Sequence, residues 1–166
     1  EDDTSSARPY NGFIYVLFAS DVVIRDCSLS GHKIFIDQNT GAPMGSYDLA
    51  VNSSTNITID NVKQLNSIVD TTKWGLMVSN HVKDFNVLNC ELNRYDTHRW
   101  VHNLRIDNCV FGWQGIKFIG SGLAHISNTK VLASNFIELR DDYGSTFDGL
   151  IKIEDCELSP LDFNST

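Results

Sequence analysis

Apolar and polar residues alternate along six stretches of the chain, and each stretch ends in the same short phrase: apolar, polar, Asn or Asp, then a small residue. Four copies end in Cys, namely "VIRDC" (23–27), "NVLNC" (86–90), "RIDNC" (105–109) and "KIEDC" (152–156). Two further copies, "TIDNV" (58–62) and "HISNT" (125–129), replace Cys with Val and Thr. A period of two is typical of strands with one buried face, so each phrase is predicted to contain a β-strand.

The Asn or Asp position of the phrase predicts a sharp bend between two strands. It is occupied by Asp26, Asn61, Asn89, Asn108, Asn128 and Asp155. Asn and Asp tolerate the left-handed backbone conformation and hydrogen-bond to nearby groups, so they suit such a bend and can form a side-chain ladder. The residue that follows is Cys, Val or Thr, which are similar in volume, and we expect this position to lie in the core. In-register stacking holds neighbouring Cβ atoms about 4.8 Å apart, which is too far for a disulfide, so free thiols are expected.

Short apolar segments precede most copies of the phrase, and they predict a further strand in each repeat. They are "FIYVLF", "YDLAV", "WGLMV", "GIKFI" and "FIEL". Strands repeated every 20 to 35 residues or so predict a solenoid, and the fold expected is an all-β, right-handed, single-stranded parallel β-helix of about six coils. We divide one domain, 1–166, into a polar lead-in (1–11), the coils (12–159) and a tail (160–166). Because neither end shows a capping element, we expect a segment of a longer chain.

The charge and hydropathy of the chain limit the classes of partner that we expect it to bind. The net charge is −8 and the 13 Lys and Arg residues are scattered, which argues against nucleic acid as a partner. No apolar run approaches the 18 or so residues that a membrane span requires, so membrane insertion is not expected.

Two polar segments carry the candidate chemistry, and both are expected to be loops. "NRYDTHRW" (93–100) and "ELRDDYGSTFDG" (138–149) supply the candidate catalytic residues Asp96, His98, Asp142 and Tyr143, with Arg94 and Arg140 as substrate ligands. A pair of carboxylates catalyses glycoside hydrolysis in most glycosidases, whereas His or Tyr as the proton carrier together with Arg is better suited to a lyase. Either segment can equally be a solvated turn. Calcium binding by the second segment is an alternative, but no metal or cofactor is predicted.

A groove between these segments is predicted on the outward side of the preceding strands. With Leu49, Leu76, Ile116 and Ile137 inward, four neighbours are expected to point outward, namely Asp48, Met77, Lys117 and Glu138. Trp74 and Trp113 at the strand entrances can pack against sugar rings, or can simply cover the apolar rim. The substrate-binding candidates are therefore Trp74, Trp113, Lys117, Glu138, Asp48 and, closing a strand, Asn80.

The repeated phrase, best represented by "IDNC", resembles the repeats of pectate-lyase-like parallel β-helices, found in phage tailspikes, phage appendages and secreted polysaccharide-active proteins. The resemblance implies a polysaccharide partner, an extracellular or virion-associated location and a homotrimer. It favours a phage or prophage tail protein that recognises a bacterial surface glycan, with cleavage by a hydrolase or lyase as an open question. The alternative is a noncatalytic adhesin or shaft segment, since this fold hosts several activities.

Overall fold

A computed structural model gives the structure of the protein and describes residues 14–29, 35–36, 39–41, 43–44, 46–64, 73–141, 144 and 146–161. This part of the chain is nearly all β and contains no α-helix. Its strands are β1 (Ile14–Leu17), β2 (Ser20–Leu29), β3 (Phe35–Ile36), β4 (Pro43–Met44), β5 (Ser46–Asn52), β6 (Thr55–Gln64), β7 (Lys73–Ser79), β8 (Lys83–Leu88), β9 (Glu91–Thr97), β10 (His102–Asp107), β11 (Val110–Phe118), β12 (Gly120–Ser127), β13 (Lys130–Val131), β14 (Ile137–Leu139), β15 (Phe147–Glu154) and β16 (Glu157–Leu158).

Fourteen of these strands form one large sheet in which the pairing is parallel, while β3 and β4 form a separate antiparallel pair. The pairing follows three ladders. Ladder A is β1-β5-β7-β9-β11-β14, and ladder B is β2-β6-β8-β10-β12-β15. Ladder C joins the C-terminal ends of β2 and β6, the N-terminal ends of β9 and β11, and then β13 and β16. The prediction of parallel β-structure is confirmed.

The predicted inward positions of ladder A pair with one another; Leu49, Leu76 and Ile116 are buried, and Ile137 is partly buried. Leu49 pairs with Leu76, and Ile116 pairs with Ile137. The position between them is Tyr95, which pairs with both Leu76 and Ile116 and is fully buried among aromatic rings. Alternating inward residues of ladder B complete the same core, as the pattern requires of a sheet with one buried face.

The Asn and Asp bend is confirmed, because all six residues have positive φ, between 47° and 55°. Asn61 Nδ2 donates to Asp26 Oδ1 at 2.7 Å, and Asn108 Nδ2 donates to Asn89 Oδ1 at 2.8 Å. Asn89 and Asn128 instead reach the Asp one position earlier in the neighbouring repeat, Asp60 and Asp107. Side-chain bonds therefore tie most neighbouring repeats together at this bend.

A second left-handed position lies at the start of the ladder B strands, where the sequence analysis did not identify one. Asp21, Asn56, Asp84 and Asn103 all have φ between 55° and 59°. Asn56 donates to Asp21 at 2.6 Å and Asn103 donates to Asp84 at 2.8 Å. The strands β2, β6, β8 and β10 are thus entered through a polar bend, and these bends are bonded to each other in two pairs.

The small residue that follows the Asn or Asp bend is buried in the central repeats, and its side chain can also accept a hydrogen bond. Cys90 and Cys109 are each 2% exposed, whereas Cys27 and Cys156 are half-buried, and all four are free thiols. The Cys90 N–H donates to Cys109 Sγ at 3.4 Å, and the Cys109 N–H donates to Thr129 Oγ1 at 3.4 Å. Cys and Thr supply an acceptor as well as a small volume at this position, whereas Val62 supplies the volume alone. Nowhere in the described ranges is there a helix with the length and apolarity to cross a membrane.

Candidate functional site

The segment around Asp96 is a strand rather than the loop expected from its polar sequence. Residues 91–97 form β9, which pairs with β7 and β11. The strand forms because Tyr95 and Thr97 point into the core and leave Asp96 on the outward side, a period of two that is hidden by the flanking charges. Asp96 therefore lies on a rigid element in the middle of ladder A.

Asp96 belongs to an outward row that crosses ladder A, yet it is 0% exposed. The row runs Ala50, Met77, Asp96, Lys117 and Glu138. The carboxylate of Asp96 is covered by three hydrogen-bond donors: the Tyr47 hydroxyl at 2.5 Å, the Arg94 guanidinium and the Arg140 guanidinium. His98 Nε2 is 3.8 Å away from the same carboxylate. Asp96 thus anchors other side chains and does not itself line the surface where we expected it.

These donors hold Asp96 in its ionised form. Burial alone would raise the pKa of Asp96, but the neighbouring His98, the Arg94 charge, the Tyr47 hydroxyl and the Arg140 charge together lower it to about 2. Burial, followed by the Asp96 charge, raises the pKa of Tyr47, so its hydroxyl remains a proton donor to Asp96. The cluster is a buried carboxylate between two guanidinium groups.

Arg94 connects this cluster to the surface. Its guanidinium lies over the ring of Trp74, 5.1 Å from the centroid, and 5.7 Å from the centroid of Tyr47. Nη1 donates to Gln114 Oε1 at 3.2 Å, while Nη2 bonds to Asp96. Beside it, Gly75 has a φ of +82°, and a Cβ there would lie 2.3 Å from the Arg94 carbonyl oxygen. The absence of a side chain at Gly75 therefore allows the Arg94 backbone to approach.

A groove of about 630 Å³ opens next to Arg94 on the outward side of ladder A. Its walls combine two half-buried indole rings, Trp74 and Trp113, with hydrogen-bonding side chains: Arg94, Gln114, Lys117, Ser134, Asn135 and Glu138. Lys117 forms an ion pair with Glu138 along the outward row. Five of the predicted substrate ligands therefore line a single groove: Trp74, Arg94, Trp113, Lys117 and Glu138.

His98 and Asn80 lie at the other end of the same strands. With Ser79 and Arg99 they line a small pocket of about 190 Å³. Beyond it, Trp100 is 50% exposed, its ring stacked on that of His81 with 4.6 Å between centroids. The stretch of chain from Arg94 in β9 to His98 just after it separates this pocket from the groove, so Asn80 does not line the groove.

The structure places some candidates differently from expectation. Asp48 was expected to point outward, but it is 1% exposed and accepts a hydrogen bond from Gln64. The reason is a register irregularity around Tyr47, which turns Tyr47 outward against Met77 and Trp74 and Asp48 away from the groove. Arg140 does reach the Asp96 cluster, so the two polar segments meet. Asp142 and Tyr143 lie outside the described residues.

The sequence analysis missed Tyr47 and Gln114, the two residues that hold Asp96 and Arg94 from the side. Tyr47 opens the apolar segment "YDLAV", in which the sequence analysis gave a direction only to Asp48 and Leu49. Only a bulge, which a period of two does not reveal, brings it outward. Gln114 lies in a comparable irregularity between Phe111 and Gly115 of β11.

No group of three or more His, Cys, Asp or Glu side chains suited to a metal ion occurs within the part of the chain that the structure describes. Compared with models of protein families, with curated protein sequences and with solved structures, the chain has no significant match.

Proposed function

We propose that the chain winds as a right-handed parallel β-helix of about six coils and that it binds a polysaccharide in the groove between Trp74 and Trp113. The winding is supported by three parallel ladders, through which each repeat passes in turn. Parallel crossovers are right-handed in nearly all proteins. Stacked repeats make a rigid surface on which outward side chains keep fixed spacings.

The observation that carries the function is the composition of the groove. Two indole rings lie in one concave surface with cationic, anionic and amide side chains. Indole faces pack against the apolar faces of pyranose rings, while amide and charged groups bond to hydroxyls. The proposed ligand is a bacterial surface glycan and the proposed setting a phage or prophage tail protein, extracellular or virion-associated and trimeric, following the resemblance of the repeats.

Recognition is the first candidate and depolymerisation the second. Asp96, one half of the predicted carboxylate pair, is fully buried and held by two arginines, so it does not touch a ligand in the groove. The carboxylate that does line the groove is Glu138, next to Lys117. This pair is the observation that favours a second role in cleavage, with an acid and a base side by side.

Binding can be tested through the three tryptophans of the chain. Their indole N–H resonances are assigned with Trp→Phe variants and followed while oligosaccharides from bacterial surface glycans are added. We expect the Trp74 and Trp113 resonances to shift together, while Trp100, on the turn after β9, does not. Trp113→Ala should weaken binding about tenfold, corresponding to the loss of one ring contact. Shifts of all three resonances, or of Trp100 alone, would contradict the proposed groove.

Cleavage is tested in the same samples. Release of reducing ends, with or without the ultraviolet absorbance of unsaturated sugars, distinguishes a lyase from a hydrolase. If turnover occurs, Glu138→Gln should abolish it while the shifts of Trp74 and Trp113 persist. If binding occurs without turnover, the protein is a recognition module.

A further inference from the structure

We propose that the small pocket lined by Ser79, Asn80, His98 and Arg99 is a second binding site, separate from the groove, and that it binds a phosphate group. The phosphate is either the free ion or a monoester on a larger molecule, since both present the same tetrahedral set of oxygens. This inference does not depend on the proposed function, because none of these four residues lines the groove.

The state of the Arg99 guanidinium is the first observation. It lies over the ring of Trp100, 4.2 Å from the centroid, and within the described part of the chain it forms no ion pair. The other arginines that the structure describes each pair with an aspartate, namely Arg25, Arg94, Arg105 and Arg140. An arginine without a carboxylate partner at a pocket wall favours an anionic ligand, and its N–H fork matches the oxygens of a phosphate.

The size and lining of the pocket are the second observation. Its volume of about 190 Å³ is below the roughly 300 to 1,000 Å³ of sites that hold whole small molecules. The described residues that line it supply a hydroxyl, an amide, an imidazole and a guanidinium, with no carboxylate and no indole among them. Asp96, whose carboxylate is 3.8 Å from His98 Nε2, is 0% exposed and does not line the pocket. This composition suits one small anionic group better than a sugar ring.

The backbone around the pocket is the third observation. The His98 N–H donates to the carbonyl oxygen of Val78 at 2.8 Å, and the carbonyl oxygen of Asn80 accepts a bond of 2.8 Å from the Ser53 N–H. The pocket is therefore built on turns that are bonded to their neighbours in the stack. The side-chain amide of Asn80, in contrast, has no hydrogen-bond partner in the described ranges, so its N–H groups are available to a ligand.

An aromatic pair holds Arg99 beside the pocket. The Trp100 ring that its guanidinium contacts is itself stacked on the ring of His81, with 12° between the two planes. An arginine packed in this way loses less side-chain entropy when it binds a ligand. Because Trp100 contacts Arg99 and does not line the groove, its indole resonance reports on this pocket and not on the groove.

The test uses inorganic phosphate and glycerol 3-phosphate as probes, with acetate and chloride at matched ionic strength as controls. The indole N–H resonances of the three tryptophans are followed in each titration. We expect both phosphate probes to shift the Trp100 resonance until it saturates, while Trp74 and Trp113 do not move and acetate binds at least about tenfold more weakly. Arg99→Gln should weaken phosphate binding at least about tenfold, and Arg99→Lys should restore part of it.

A second variant and a matched control complete the test. Asn80→Gly removes the amide, keeps a residue that adopts the φ of 50° easily, and should weaken phosphate binding by a smaller factor than Arg99→Gln. The control is Arg105→Gln, whose arginine pairs with Asp107 on ladder B and should leave the Trp100 titration unchanged.

The two probes also distinguish the two sources of phosphate. Tighter binding of glycerol 3-phosphate would support a monoester as the ligand, and tighter binding of inorganic phosphate would support the free ion. The inference is overturned if chloride or acetate shifts the Trp100 resonance as phosphate does, or if the phosphate titration is the same in Arg99→Gln as in the wild type. None of these outcomes bears on the groove, whose reporters are Trp74 and Trp113.

Discussion

Arg140 donates a hydrogen bond from Nη1 to Oδ1 of Asp96, a residue 44 positions earlier in the chain. Asp96 lies on β9 and Arg140 directly follows β14, which is separated from β9 by β11 in ladder A, and the length of the arginine side chain covers that distance. Because Arg94 binds the other carboxylate oxygen, one buried aspartate joins two polar segments that look independent in the sequence.

Replacing Asp96 with Asn is expected to destabilise the fold by about 3 to 5 kcal/mol, because it leaves two guanidinium groups without their buried partner. Urea unfolding measures this loss. The matched control is Glu157→Gln, which breaks an ion pair between exposed side chains, Lys130 and Glu157, and should leave the unfolding midpoint unchanged. Similar midpoints for the two variants would show that Asp96 is not the anchor of the cluster.

The stability of the protein should fall in acid with a contribution from Asp96. The pKa of this group is about 2 in the folded state against an ordinary value of 3.8, so its contribution is fully present above about pH 4 and is lost as the pH falls toward 2. The shift corresponds to about 2 kcal/mol. The free energy of unfolding, measured from pH 6 to pH 2, should therefore decline less steeply in Asp96→Asn than in the wild type. Parallel curves would contradict the lowered pKa.

Cys109 offers a test of the hydrogen bonds that side chains accept at the position after the Asn or Asp bend. Its sulfur accepts the buried N–H of Cys90, so Cys109→Val leaves that N–H without an acceptor and should cost about 1 to 3 kcal/mol. Cys109→Thr keeps an acceptor and should cost less, as Thr129 already occupies the same position one repeat along. If the apolar Val were tolerated better than Thr, packing alone would determine this position. Chemical denaturation of the two variants decides between them.

Gly75→Ala is expected to displace the backbone of Arg94 and so to disturb the groove that Arg94 lines. The added Cβ would meet the Arg94 backbone at 2.3 Å, at a φ of +82° that already disfavours Ala, and we expect a loss of at least about 3 kcal/mol together with a shifted Trp74 resonance. Gly41 provides the control, since its φ is also positive, +67°, but nothing lies within 4 Å of a Cβ there. Gly41→Ala should cost about 1 kcal/mol and leave Trp74 unmoved.

Much of the frame follows from the sequence because the same local rule recurs in every repeat. The left-handed Asn and Asp bends, the alternation of ladder B and the pairing of Leu49 with Leu76 were all predicted, since each depends on residue type and a period of two. The second bend, at Asn56 and Asn103, was missed because no recurring Cys follows it in the sequence, as one follows the first bend.

The site was predictable only in part, because it is built where the repeats deviate from that rule. The bulge at Tyr47 turns Asp48 away from the outward side on which it was expected, and no single-sequence pattern signals it. The burial of Asp96 depends on side chains from four different strands or turns, which come together only after folding. Trp74, Trp113, Lys117 and Glu138, which the sequence places at strand entrances or outward positions, lie along one groove, and Lys117 and Glu138 pair directly in ladder A.

The Asn and Asp bends have a consequence for how such a protein can diversify. The residues that join neighbouring repeats at the bends and the residues that line the groove occupy separate positions in each repeat. Substitutions at groove positions can therefore accumulate without altering the joints, and the chemistry of the surface can change while the architecture is inherited unchanged.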